Sequence, residues 1–228
     1  MVMCAIAALG AFFVVAFSQT DMQAPGVFAY YNAFAQLSFP MVGSCLAFYY
    51  GKDYSNGSLA FCEQIDMSEQ QIVLSRVLIF EGYLGMISAI LLCPFLMADG
   101  NGETPIALYA LMSVFLMLTV CNLSAATIGV ALRDSLKAIV STFLLFGAMS
   151  LVNYFCYGLG SQADSSSLTS FAVGEYLGMP TSNAPQIASA GLGNLATVLG
   201  PLVSVVWCIL MYVLLHAMLS HRTIAHCE

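Results

Sequence analysis

"LVSVVWCILMYVLLHAML", residues 202–219, contains no Lys, Arg, Asp or Glu, and its apolar side chains fall on every side of a helix. "AIVSTFLLFGAMSLVNYF", residues 138–155, reads the same way. A helix that is apolar all round has no side to turn to water, and roughly 20 such residues cross the hydrocarbon of a bilayer. Strands would cross only as a closed barrel, alternating apolar and polar residues in pieces of about ten. These runs do not alternate, so they are membrane helices. Working outward, runs of the same kind occupy 2–18, 27–50, 77–97, 106–132 and 196–219, with 138–157 completing the set. The expected fold is an all-α integral membrane protein of six transmembrane helices, a single domain over 1–228.

The composition agrees. Only 7% of the 228 residues are charged and 60% are hydrophobic, against roughly 25% charged in a soluble domain. Too little polar surface exists to coat a water-soluble globule, and the lipid bilayer is the implied solvent. With five Lys and Arg in all, no nucleic-acid partner is expected.

Those five cations orient the chain. Lys52 and Arg76 bound the link between spans 2 and 3, Arg133 and Lys137 lie in the link between spans 4 and 5, and Arg222 is in the tail. The links around 19–26, 98–105 and 158–195 hold none. The positive-inside rule makes the charged face cytoplasmic, so a multi-pass protein of the cell membrane with both termini inside is expected. The leading "MVMCAIAALGAFFVVAFS" lacks the positive segment of a signal peptide and is read as a span. Its start at residue 2 is abrupt, and part of the natural N-terminus is expected to precede it. The eight cysteines read as small buried apolar side chains, with Cys93 and Cys156, near outer helix ends, the one pair worth following.

Catalytic patterns are missing. Gly51-Lys52 is followed by Asp53, and the upstream glycine position of a phosphate loop holds Leu46. His216, His221 and His226 are spaced by five, not the three or four that share a helix face. No metal site and no enzyme is expected. The Asn56-Gly57-Ser58 glycosylation pattern falls on the cytoplasmic face and should be silent.

Ionisable groups inside a membrane are functional suspects. Glu81 stands about one turn inside span 3, and Arg133 or Lys137 of the neighbouring link are its expected partners. It is either half of an interfacial ion pair that fixes packing or a working group. Asn32, Gln36 and Asn153 are intramembrane amides, which cost free energy in hydrocarbon unless bonded. They either tie helices together or line a transport path.

One long polar stretch interrupts the grease: "YYGKDYSNGSLAFCEQIDMSEQQIVLSR", residues 49–76. Asn56-Gly57 signals a turn. Ser58 is expected to cap a short helix carrying Phe61 and Ile65 one turn apart, with Glu63 and Gln64 off that face. Ser68 followed by Gln71 fits a capping box, so a second helix runs on through Arg76 into span 3. At these residues the chain resembles the ABC-2 permeases, the membrane subunits of ATP-binding-cassette exporters. Asp53, Gly57-Ser58, Met67-Ser68 and Arg76 hold the places of that family's inner loop, while Asp66 stands where Pro is usual and Glu69 where Arg is usual. The six-span plan and the long outer link before span 6 are also similar. Family members usually begin with an amphipathic cytoplasmic helix, which this sequence does not show.

The resemblance implies a type V exporter-like fold with a cytoplasmic coupling helix between spans 2 and 3 and a re-entrant outer link between spans 5 and 6. It implies an assembly of two permeases, homo- or heterodimeric, with ATPase subunits. This chain then binds no cofactor, and ATP sits on the partner. Gly57, Ser58, Phe61, Cys62, Glu63 and Ile65 become the ATPase-coupling residues, and short helices are expected around 168–178 and 184–195 of the outer link. The cargo would be hydrophobic or amphipathic: a lipid, peptide or drug. The competing reading is a secondary transporter or channel without an ATPase, leaning on Glu81 and the amides. The spans hold one carboxylate and no convincing internal repeat, which counts against it.

Overall fold

In hydrocarbon every backbone N–H and C=O has to be bonded inside its own segment, and the apolar runs accordingly fold as helices. The computed structural model describes residues 24–63, 67–98, 104–160 and 195–225. In order these are α1 (Ala24–Ser55), α2 (Ser58–Glu63), α3 (Glu69–Ala98), α4 (Thr104–Leu132), α5 (Ser135–Gly160) and α6 (Leu195–Ala225). No strand occurs among the described residues. Three helices contain windows long and apolar enough to cross a membrane: Glu69–Ala89 in α3, Phe115–Leu132 in α4 and Pro201–Ser220 in α6. The expected span at 2–18 lies outside the described residues, as do the helices expected around 168–178 and 184–195, except for Leu195, which begins α6.

The helices outrun the expected spans at one end of the bundle. α1 continues past residue 50 to Ser55, with Lys52 in its last turn, where a cation suits the helix dipole. α3 begins at Glu69 rather than at 77. Counting apolar residues stops at the first polar cluster, but the hydrogen-bond ladder does not. Ile72 and Val73 are already buried, so the apolar stripe of α3 starts before the uncharged run. The capping box is formed: Gln71 N–H donates to Ser68 Oγ, and Ser68 N–H donates to Gln71 Oε1, both at 3.2 Å.

α4 is the central helix. Its apolar window is 67% buried, against 33% for that of α3 and 17% for that of α6. Small side chains make this possible, because they let neighbouring backbones approach. Ser124, Ala125, Ala126 and Gly129 of α4 are all buried. A Cβ on Gly129 would sit 2.6 Å from Tyr50 Cβ, and one on Gly51 would sit 2.7 Å from Ser135 Cα. α1 is thus wedged against both α4 and the α4–α5 corner. α6 is tied to α4 by Trp207 Nε1, which donates to Ser124 Oγ at 3.1 Å. Its outward side, with Leu202, Val206, Ile209 and Val213, is apolar.

The α4–α5 corner turns on two residues. Arg133 adopts φ 53°, a left-handed conformation uncommon outside glycine, and its N–H closes the turn on Gly129 O at 3.0 Å. Asp134 then caps α5: its Oδ1 accepts the N–H of Leu136 at 2.9 Å and of Lys137 at 3.0 Å. The Lys137 N–H bond, aided by that of Leu136 and by the Lys137 charge, lowers the Asp134 carboxyl below its ordinary value. A carboxyl lowered by folding stabilises the folded state above its unfolded value, near 3.9, and that contribution disappears as pH falls through the folded value. Asp134→Asn keeps an acceptor but loses the charge. Its thermal midpoint in detergent should therefore fall below the parent's at pH 7, and the two should converge once the pH has fallen below the lowered folded-state value. A gap that persists unchanged into acid would remove the charge from this account.

Candidate functional site

At the polar end of the bundle, the turn at Asn56-Gly57 sends the chain into α2. Gly57 has φ 68°, which a residue with a Cβ rarely adopts. Ser58 differs from its expected capping role. Its hydroxyl donates back to Asp53, 3.1 Å from the carbonyl and 3.3 Å from Oδ1, because Asp53 lies one turn behind at the end of α1. Asp53 also pairs with Arg76 of α3. Beside it, Tyr54 Oη donates to Glu69 Oε1 at 2.6 Å, Arg133 Nη2 lies 3.7 Å from the same Oε1, and the Arg133 guanidinium stands 5.3 Å over the Tyr54 ring. Ion pairs and a cation–π contact thus clasp the end of α1, the start of α3 and the α4–α5 corner.

α2 rides on this clasp with two faces. Leu59 is buried against the bundle, whereas Phe61 is 63% exposed. A large aromatic ring is thus held outward on a short, anchored helix. Cys62 and Glu63 continue the helix; Ile65 lies outside the described residues.

The second constellation joins α1, α3 and α4. Asn122 is fully buried and Tyr50 nearly so. Tyr50 Oη donates to Asn122 Oδ1 at 2.8 Å. Asn122 Nδ2 donates to the Val77 carbonyl at 3.2 Å and to Glu81 Oε1 at 2.8 Å. Thr119 Oγ1 lies 3.0 Å from Glu81 Oε2. The Tyr50 ring is fixed edge-on against Phe80, with centroids 5.6 Å apart. One donor and two acceptors surround the Asn122 amide, which fixes its orientation and leaves no polar atom of that side chain unpaired.

This arrangement corrects the expected pairing of Glu81. Its partners are Asn122 and Thr119, not Arg133 or Lys137. Arg133 is drawn to Glu69 instead, a carboxylate that the early start of α3 places beside the corner. Glu81 forms no ion pair among the described residues. The sequence pattern alone does not single out Asn122, Tyr50, Thr119 or Leu59. A signal for Asn122 is nonetheless present, since it is the single amide in 106–132. Asn32 and Gln36 stand in α1 and Asn153 in α5; their side chains fall outside the described part. No group of three or more potential metal ligands occurs among the described residues.

No family model matches the chain, and no curated protein or solved structure matches it.

Proposed function

We propose that the chain is the permease subunit of an ATP-driven exporter of the ABC-2 type, moving a hydrophobic or amphipathic substrate outward across the cell membrane. The observation that carries this reading is Phe61: a bare aromatic ring on a short helix, anchored by Leu59 and by the Asp53–Arg76 pair. An ATPase has to push on the bundle from the cytoplasm, and α2 with its clasp offers a lever. Force on α2 reaches α1 and α3 through Asp53 and Arg76, and reaches the α4–α5 corner through Glu69 and Arg133. Six spans, cytoplasmic termini and a second permease copy complete the assembly. The test is co-reconstitution with an ATP-binding-cassette ATPase, sought first among the genes beside this one. The pair should hydrolyse ATP faster when substrate is added, and the ATPase alone should not. An ATPase that neither binds the chain nor responds to it overturns the reading.

One observation favours a secondary transporter or channel without an ATPase. Glu81 lies in a membrane-crossing window, bonded to neutral groups instead of a cation. In that reading the exposed Phe61 has no assigned work, and the ABC-2 reading accounts for more of the molecule.

A further inference from the structure

The Thr119 hydroxyl has one hydrogen and two acceptors at equal distance. Its Oγ1 lies 3.0 Å from Glu81 Oε2 and 3.0 Å from the Phe115 carbonyl one turn back on α4. It can donate to one of them at a time. When Glu81 is ionised, the hydrogen points to Oε2 and Asn122 holds Oε1, so both carboxylate oxygens are bonded. When Glu81 carries a proton on Oε2, that O–H donates to Thr119 Oγ1, and the Thr119 hydrogen swings to Phe115 O. The Asn122 bond to Oε1 is the same in both states. Rotation of one hydroxyl therefore keeps every polar group of the cluster bonded whether or not the proton is there.

We propose that Glu81 is a reversible proton-binding site within the membrane-crossing part of the bundle, with the Thr119 hydroxyl as the switch between its two states. The proton comes from water and returns to it; no bond other than O–H forms or breaks. Glu81 is half-buried, so its carboxyl is sheltered yet not sealed. A structural carboxylate at this depth would be expected to hold a cation, because an isolated charge in hydrocarbon is costly. Glu81 has instead neutral donors and a rotor. The titratable groups that face it are Tyr50 of α1, Cys121 of α4 and Cys208 of α6. None of the three supplies positive charge. The nearest cation in sequence on its own helix, Arg76, is engaged by Asp53. The proposal rests on neither transport reading, since proton binding is an equilibrium property of this chain alone.

The test is a pH titration of the whole chain in lipid nanodiscs, followed by the infrared carbonyl band of a protonated carboxyl. The parent should show a band that grows on acidification and disappears in Glu81→Gln. Thr119→Val removes a bond to the ionised form, which is worth more than the bond to the neutral form. The titration midpoint should then rise by about one pH unit, a tenfold gain in proton affinity. Thr119→Ser, which restores the hydroxyl, should return it to the parent value. If Glu81→Gln does not fold, the Thr119 pair still assigns the band. A band insensitive to both positions belongs to another carboxyl, and no band at any pH leaves Glu81 permanently ionised. Either result overturns the proposal, and so does a Thr119→Val midpoint equal to the parent's.

Discussion

Phe61→Asp should insert into the membrane as the parent does and yet, if the chain works with an ATPase as proposed, lose nearly all stimulation of that ATPase. The ring is 63% exposed, so little packing inside the bundle is lost with it, and exposed substitutions usually change stability by less than about 0.5 kcal/mol. Docking is different. Burying one large apolar side chain at an interface is worth roughly 1.5–3 kcal/mol, and an aspartate would place an unpaired carboxylate in the apolar groove that received the ring. The two losses together should weaken docking by about 100-fold or more. Phe61→Leu keeps an apolar knob and should keep most of the coupling. The measurement is co-purification with the ATPase, followed by substrate-stimulated hydrolysis in proteoliposomes. Should Phe61→Asp insert normally and still stimulate hydrolysis like the parent, α2 is not the coupling element, and the exporter reading loses its main support.

The helical architecture was legible because hydrocarbon removes alternatives: a run such as 202–219 has no polar side and no strand period. The polar segment at 49–76 was legible for a local reason. Asn56-Gly57 specifies a left-handed turn, and Ser68 with Gln71 specifies a helix start, each within four residues. What failed depended on distance in the fold. The sequence points Glu81 to Arg133 or Lys137 of the neighbouring link, but α3 begins at Glu69, and that residue intercepts Arg133. Ser58 sits where an N-cap is expected, yet its hydroxyl donates to Asp53 at the end of α1. The role of Asn122 is not legible locally, because its worth lies in Tyr50 and Glu81, 72 and 41 residues away. An amide in an apolar run signals that some partner exists, while naming that partner requires knowing how the helices cross.

Asn122→Ala should be among the most destabilising single substitutions in the chain. Asn122 has no exposed surface, and its amide makes one bond each to α1 and to Glu81 of α3, plus one to the Val77 carbonyl. Alanine leaves the buried Tyr50 hydroxyl without its acceptor, at roughly 1–3 kcal/mol, and removes a bond to a charged or chargeable carboxyl, at roughly 1.5–3 kcal/mol. It also leaves a cavity where the fully buried Asn122 side chain stood. Against this, interhelical hydrogen bonds in membrane proteins average only about 0.6 kcal/mol, because the freed groups find other partners. Here the freed phenol is nearly enclosed, with its ring held edge-on by Phe80, so its choice of new partners is narrow. The net loss should be about 3 kcal/mol. Tyr50→Phe in the Asn122→Ala background removes the stranded hydroxyl and should recover about 1 kcal/mol, although Tyr50→Phe alone destabilises. That change of sign is the signature of two groups acting as a pair. Equilibrium unfolding of the four variants in mixed micelles measures it. If the two substitutions add with no coupling, the junction between α1 and α4 is held by the close approach of Gly129 to Tyr50 and not by this hydrogen bond.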